Sequence, residues 1–347
     1  MCENARKSAG LPELLDRSSR IAIVSHARPD GDAVGSSLAA LSYLESRGKN
    51  ATVLLPDAVP QSLKFLEGSS SVLVFSDNPA GVCSVLSSCD LLLCLDCGSF
   101  SRLEAMGPAA QASGAAKVVI DHHPSPDAAS FDLVIGETEI SSASELLYQV
   151  LMGLPDVAGD SSRLPLACRT ALLAGMTSDT NNFNNSVWPS TFAMASDLVA
   201  SGVDRDYVLE KMYSSWRENR IRAMSAILSE DLEITPEGAA FFVIWQERWD
   251  AFGLQEGELE GLVNIPLGID KVRLSVSVRE CGDVFRLSLR SKRGVSSREL
   301  AIRSFHGGGH EQASGGKIFV GQDVASRSEV PDYVRRALRE FLGGASK

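Results

Sequence analysis

Several things are scarce or absent in this chain, and each absence removes a class of protein. The longest purely apolar runs are only a few residues, such as Leu91-Leu-Leu-Cys-Leu95, too short to span a bilayer. The opening Met1-Cys-Glu-Asn-Ala-Arg has no apolar signal core, so the expected compartment is the cytoplasm. Seven cysteines form no framework. Cys94-Leu-Asp-Cys97 fits a CxxC pattern, but without a second pair it is not a structural zinc site, and both thiols read as packing residues suited to a reducing cytosol. There is neither an internal repeat nor a low-complexity tract. Positive charge is in deficit, giving −11 overall, which argues against a protein that tracks long nucleic acid electrostatically.

Histidine is also scarce, and its placement is informative. All five lie in three polar clusters: His26 in Ser25-His-Ala-Arg-Pro-Asp-Gly-Asp32, the pair in Asp121-His122-His123, and His306 and His310 around Gly307-Gly308-Gly309. Packing histidines lie more often among apolar neighbours. The first two clusters follow Ile21–Val24 and Val118–Ile120, so the imidazoles fall at strand ends. Such placement points to a metal site on a sheet edge.

At 347 residues the chain is long enough for two domains, each with its own core. Strand-type runs at Ile21–Ser25, Ala51–Leu55, Val72–Phe75, Leu91–Asp96, Lys117–Ile120 and Phe131–Ile135 are interleaved with or followed by helical stretches. Those lie near Gly35–Ser46, Ser144–Met152, Leu164–Met176 and Ser190–Ala200. This order predicts an α/β domain with a doubly wound, mainly parallel sheet over 19–203, where ligands collect at the strands' carboxyl ends. Asp204–Asp231 reads as one long amphipathic helix, carrying Val208, Met212, Ile221, Met224 and Leu228, within a helical linker over 204–236. A smaller α/β module is expected over 237–345. Its strands are predicted at Ala239–Trp245, Lys271–Val278, Val284–Arg290 and Lys317–Val320, and its helices at Glu258–Val263, Ser297–Arg303 and Asp332–Leu342. Lys271–Arg303 holds nine basic and three acidic residues, a local +6 against −17 elsewhere. That island suits a short polyanion.

His26, Asp30 and Asp32 share one strand-to-helix loop. Asp96 closes another strand, Asp121 and His122 a third, and Asp179 follows the helical run Leu172–Met176. Asp30-Gly-Asp32 alone would read as a turn with a helix cap. So many possible ligands converging on one sheet edge are too many for a single cation. Oxygen-rich donors with some nitrogen suit Mn²⁺ or Mg²⁺, and a carboxylate-bridged pair of divalent ions is the usual apparatus for phosphoryl displacement.

These residues together resemble the DHH family of phosphoesterases. The match rests on His26-Ala-Arg-Pro-Asp30-Gly-Asp32-Ala-Val-Gly35-Ser36, Asp96 with Arg102-Leu103, and Asp121-His122-His123. Arg290 and Gly307-Gly-Gly-His310-Glu-Gln-Ala-Ser-Gly-Gly316 resemble the associated DHHA1 domain, so the likeness runs from about Ser19 to Val320. It implies two divalent cations, Mn²⁺ first, with Mg²⁺ or Co²⁺ as alternatives. His26, Asp30 and Asp96 would hold one; Asp32, Asp96, His122 and Asp179 the other, with Asp96 as the bridge. Asp96 and His123 are the implied catalytic residues, His123 touching the scissile phosphate and helping to protonate the leaving oxygen, while Asp121 orients its neighbours. Thr177-Ser-Asp179-Thr-Asn-Asn-Phe183 departs from the family pattern, with Asn181 in place of a glycine.

The resemblance further implies substrate contacts from His123, Arg290, Gly307, Gly308, Gly309 and His310, the glycines exposing backbone N–H groups to an anion. His306 replaces another glycine and is not assigned a role. Standalone two-domain chains of this build are similar to the nanoRNase and 3′-phosphoadenosine 5′-phosphate phosphatase group. The implied activity is hydrolysis of short oligoribonucleotides to mononucleotides, with removal of phosphate from that bisphosphate. Cleavage of cyclic or linear diadenylate is the enzymatic alternative, and a nucleotide-binding regulator the non-enzymatic one. The resemblance also implies a homodimer, while the short apolar runs predict no membrane partner.

Overall fold

The computed structural model describes residues 10–124 and 126–344. It divides into two compact units, Met1–Ser215 and Trp216–Lys347. The first is built on six parallel strands: β1 (Arg20–Val24), β2 (Asn50–Leu55), β3 (Leu73–Val74), β4 (Leu91–Leu95), β5 (Ala116–Asp121) and β6 (Leu133–Gly136). Their order is β3-β2-β1-β4-β5-β6, every pairing parallel. Among the described residues this unit carries α1 (Leu11–Arg17), α2 (Gly31–Ser46), α3 (Pro79–Ser88), α4 (Gly107–Ala112), α5 (Ala143–Met152), α6 (Leu166–Asp179), α7 (Pro189–Ala200) and α8 (Arg205–Tyr213).

The near-continuous apolar strands follow from burial on both faces. Successive side chains alternate, so Ile21, Ile23, Leu91, Leu93, Val118 and Ile120 enter one core with α2, α5 and α6. Ala22, Val24, Leu92, Cys94 and Val119 enter the opposite core with Val82 and Leu86 of α3. Each fully buried Leu or Ile contributes roughly 1.5–3 kcal/mol. The strand order reverses direction between β1 and β4, which makes that junction the place where an open α/β sheet leaves a crevice for ligands. Ser25 Oγ donates to the Leu95 carbonyl at 2.7 Å and ties the two strand ends together.

In the second unit the helix α9 (Glu218–Ala226) precedes a six-stranded sheet ordered β11-β12-β10-β9-β8-β7. The strands are β7 (Glu233–Ile234), β8 (Ala239–Ile244), β9 (Leu274–Cys281), β10 (Val284–Ser291), β11 (Gly308–Gly309) and β12 (Ala313–Phe319); only β8 and β9 pair in parallel. Helices α10 (Gln246–Ala251), α11 (Ser297–Ser304) and α12 (Val330–Gly344) complete it. Val330, Val334, Leu338 and Leu342 recur every four residues along α12 and bury in this unit's core.

Two expectations need correction. The span 204–231 is not one helix. It breaks after Tyr213, where Ser214 closes α8 and the chain runs non-helically to Arg217, before α9 and a single π turn at Ile227–Asp231. The linker expected over 204–236 is thus shared between units, with the division at Ser215. The helix expected at Glu258–Val263 lies farther on, as a 3₁₀ segment over Leu262–Gly268, because Gly261 is left-handed and Pro266 interrupts an α ladder.

Candidate metal centre

The loop after β1 presents His26, Asp30 and Asp32 together. Asp30 does cap α2: its Oδ1 accepts from the backbone N–H groups of Asp32 and Ala33, both at 3.0 Å. The cap leaves Oδ2 for other work, so cap and ligand are compatible. His26 Nδ1 lies 2.8 Å from the Ala27 carbonyl, which requires the proton on Nδ1. Nε2 then faces Asp96 Oδ2 at 3.2 Å and Asp30 Oδ1 at 3.8 Å.

Asp96 stands just past β4 with a positive φ of 51°, a conformation costly for a side chain with a Cβ and characteristic of functional positions. It is almost wholly buried, and its Oδ1 has no hydrogen-bond partner. That oxygen lies 3.7 Å from His122 Nε2 and 3.2 Å from His123 Nδ1. His122 Nε2 is also 3.3 Å from Asp179 Oδ2 at the end of α6. His123 Nδ1 lies 2.8 Å from Asp121 Oδ1, which also accepts from the His123 backbone at 3.1 Å. Asp121 is buried, its Oδ2 is unpartnered, and Gly98 leaves room for it, since a Cβ there would stand 2.6 Å from that oxygen.

Asp32 is fully buried at the N-terminus of α5, where its two carboxylate oxygens accept from the Ala143 and Ser144 backbones at 2.6 and 2.9 Å. Those amides are free to donate to it because α5 closes its own first turn differently. Ser142 caps Glu145 N at 3.0 Å, and the buried Glu145 carboxylate reaches back to Ser141 and to Thr191 of α7. Gly175 of α6 completes the fit, since a Cβ would lie 2.0 Å from Ser144 Oγ and 3.0 Å from Asp32 Oδ1.

The electrostatics describe a pocket overfilled with negative charge. Burial, then the charge of Asp96, raises Asp32 to about 8 despite its backbone donors. Asp179 is pushed well up by burial and by Asp32, Asp30 and Asp96. Burial would raise Asp96 too, yet the neighbouring imidazoles of His123 and His26 outweigh it and hold it below the usual carboxylate range. Burial pulls His123 down, but Asp121 and Asp96 outweigh it and carry it to about 10. The Asp96 bond likewise lifts His26 against burial, whereas His122 is lowered by burial. Repelling carboxylates and an unpartnered buried oxygen are the condition that cations relieve. Three ligand groups have donor atoms within 4.8 Å of one another: His26/Asp30/Asp96, Asp32/His122/Asp179 and Asp96/His122/His123. All six expected ligands fall in these groups, Asp96 and His122 each in two. The donor set fits divalent cations.

The loop after Asp179 explains the departure at Asn181. Asn181, Asn182 and Phe183 are all left-handed, with φ of 46°, 53° and 65°. A glycine suits the first position, and asparagine is the next most tolerant residue. Two contributors escaped the reading of the sequence: the Ser142 cap with Glu145, which has a recognisable S-x-x-E spacing, and Gly175, which has no signal.

In the second unit, Arg290 on β10 is half-buried, with Nη1 donating to the Leu289 carbonyl at 3.0 Å. The glycine triplet is largely a hairpin rather than an open loop. Gly307 N–H is already given to the Ala301 carbonyl at 3.0 Å, so it is not available to an anion as expected. A Cβ on Gly307 would stand 1.9 Å from the Gly315 carbonyl, and one on Gly309, at a φ of 137°, 2.7 Å from Ala313 O. Those two glycines serve backbone packing; around Gly308 the space is open. His310 follows, its backbone N–H bonded to Ala313 O at 2.8 Å, and His306, at a φ of 46°, bonds Asp323 through Nε2 at 2.8 Å. Cys94 and Cys97 are free thiols buried in the α3-side core, as packing residues are.

Comparison with known proteins agrees with this architecture. Residues 20–176 match the DHH family, N-terminal domain. The probable bifunctional oligoribonuclease and PAP phosphatase NrnA of Streptococcus mutans is 30% identical over 92% of this chain and 95% of its own length. The cyclic-di-AMP phosphodiesterase PdeA of Listeria monocytogenes is 27% identical over 87% of this chain but 45% of its own. The crystal structure of an exopolyphosphatase-related protein from Bacteroides fragilis superposes with a TM-score of 0.90 at 30% identity, covering 99% of this chain and 98% of that one. Fold and cluster define a hydrolase acting on phosphoester bonds. The chain belongs to the DHH family.

Proposed function

We propose that this protein hydrolyses short oligoribonucleotides to mononucleotides and removes phosphate from 3′-phosphoadenosine 5′-phosphate, with two divalent cations, Mn²⁺ first, in the cluster around Asp96. The carrying observation is that Asp96, strained and buried at the β1–β4 crevice, is shared by two ligand groups. Such a carboxylate is the bridge that a binuclear centre needs. His26, Asp30 and Asp96 hold one cation; Asp32, Asp96, His122 and Asp179 hold the other. Bound there, the cations supply an acidified water and neutralise charge on the phosphoryl oxygens.

The chain's own groups prepare that chemistry. His26 offers Nε2 because Nδ1 is committed to Ala27 O. Asp121 fixes His123 through Nδ1, so a proton passed to the leaving oxygen comes from Nε2. The second unit contributes Gly308, His310 and Arg290 toward the substrate, with Gly307 and Gly309 shaping the hairpin.

The near full-length similarity to an oligoribonuclease and PAP phosphatase supports this substrate class. Similarity to a cyclic-di-AMP phosphodiesterase favours diadenylate as a second reading, although the chain spans under half of that relative. The test is a Mn²⁺-dependent panel of di- to pentaribonucleotides, the adenosine bisphosphate, cyclic and linear diadenylate, and pyrophosphate. Turnover of the first two classes, lost in Asp96→Ala, is expected. Cleavage of pyrophosphate alone overturns the assignment, and binding of diadenylate without turnover indicates a regulator.

A further inference from the structure

We infer that Arg102 binds the reacting phosphate, its guanidinium taking a non-bridging oxygen beside His123. The inference rests on the phosphoesterase reading above and adds to it a residue that neither the ligand set nor the expected substrate contacts include. Arg102 lies in the 3₁₀ segment Phe100–Met106, anchored by the buried Leu103. Its own carbonyl accepts from Ala27 N at 2.8 Å, so the segment is pinned to the loop that carries His26 and Asp30.

The side chain is the unusual part. Arg102 Nη1 lies 3.3 Å from His123 Nδ1. The same Nδ1 lies 2.8 Å from Asp121 Oδ1, closer and to a carboxylate, so Nδ1 carries its proton and donates there. That holds whether the ring is neutral or doubly protonated. A protonated nitrogen cannot accept from a guanidinium, so the 3.3 Å approach sets two donors face to face.

No carboxylate among the described residues lies within 4.0 Å of this guanidinium, although Asp96 and Asp121 both touch the adjoining imidazole. Several other arginines do have such a partner: Arg20 with Asp90, Arg28 with Glu104, Arg279 with Glu256 and Arg335 with Glu233. Arg102 is half-buried, and its charge is felt at both His26 and Asp179, so it borders the cluster. A cation with five donors, set beside a catalytic imidazole and without an acid partner, is placed to receive the oxygens of an arriving anion.

Hydrolysis adds water across the P–O ester bond. The water oxygen bonds to phosphorus and keeps one proton, the ester bond breaks, and the leaving oxygen takes the electron pair and the second proton. During this exchange the non-bridging oxygens gather negative charge. Donors fixed in advance beside them act on the transition state more than on the bound substrate.

The test uses the full chain loaded with Mn²⁺, with Arg102→Met and Arg102→Lys, and reads two things. One is calorimetric affinity for inorganic phosphate; the other is steady-state hydrolysis of a diribonucleotide. Arg102→Met is expected to weaken phosphate binding about tenfold and lower kcat about a hundredfold, with KM changing less. Calorimetric Mn²⁺ affinity should stay within about twofold, because the ligand set is intact. Arg102→Lys keeps the charge but not the fork and should recover only part of the loss. Should Arg102→Met fail to fold, phosphate binding by Arg102→Lys decides the matter, with about threefold weakening expected. Wild-type values in the variants overturn the inference. So does a matching fall in Mn²⁺ affinity, which would make Arg102 a positioning residue only, and so does a wild-type protein that binds no phosphate. A wild-type protein that binds phosphate through Arg102 yet cleaves no phosphoester would sink the phosphoesterase reading and leave the anion site standing.

Discussion

At the scale of single residues, protonation separates the metal-free state from the loaded one. Asp32, raised to about 8, and Asp179, also raised, bind protons more tightly folded than unfolded. Their stabilising contribution is complete below about pH 4 and is lost as pH rises toward 8. His123, raised to about 10, and His26 act in the same direction at higher pH. His122, lowered, opposes them, and Asp96, also lowered, matters only below about pH 4. Chelator-treated protein should therefore lose thermal stability between pH 5 and pH 9. Added Mn²⁺ should raise Tm more at pH 8 than at pH 5, with proton release on binding visible as a buffer-dependent calorimetric heat at pH 7. A Tm increment that is flat with pH would contradict the cluster's electrostatics. Substitution of Asp96 by Ala removes the shared ligand and should abolish turnover by at least about a hundredfold and the Mn²⁺-induced Tm shift with it; retention of either would show that Asp96 is not the bridge.

The proposed ligand residues were legible because histidines are scarce and, with acids, cluster where elements end: His26 after β1, Asp96 after β4, His122 after β5. What Arg102 does was not legible, since a missing acid partner and a facing Nδ1–H exist only in three dimensions. The glycine triplet misled in part. Glycines permit close approach, but the sequence does not say whether an anion or a neighbouring strand makes the approach. For Gly307 and Gly309 it is the strand.

At the scale of elements, α5 is the part that aims Asp32. Replacing Glu145 with Ala leaves Ser141 N, Ser141 Oγ and Thr191 Oγ1 without their acceptor in a buried place. A loss of about 3 kcal/mol is expected, read by denaturant unfolding. The Mn²⁺ affinity of the site holding Asp32 should fall with it, because the α5 amides move. Gly175→Ala tests the same geometry from α6. Its methyl collides with Ser144 Oγ, so about 1–3 kcal/mol of stability should go, together with Mn²⁺ affinity. Weaker unfolding with undiminished Mn²⁺ binding in both variants would sever α5 from the site. Parallel strands and their helices could be read from alternation and length. The break between α8 and α9 could not, because charged and apolar residues continue helical spacing through it while Ser214, Ser215 and Trp216 leave the helix.

At the scale of the whole molecule, charge limits what can be bound. The chain carries −11, and the basic island at 271–303 is partly spent within its own unit. Arg279 pairs with Glu256 at 2.6 Å and stacks on Trp249 at 3.5 Å. Arg273 donates to the Glu237 carbonyl, and Lys292 Nζ to the Ile269 and Asp270 carbonyls. Arginines and lysines tied to internal acceptors release few counterions from a polyanion. If about two phosphates are neutralised, KM for a 5′-phosphorylated diribonucleotide should rise only about sevenfold between 50 and 200 mM salt. Lengthening the oligonucleotide past a few residues should add little affinity, since a chain carrying −11 repels the extra phosphates. A steep salt dependence, with KM falling steadily out to long chains, would instead demand an extended basic track, and the charge distribution along this chain leaves little from which to build one.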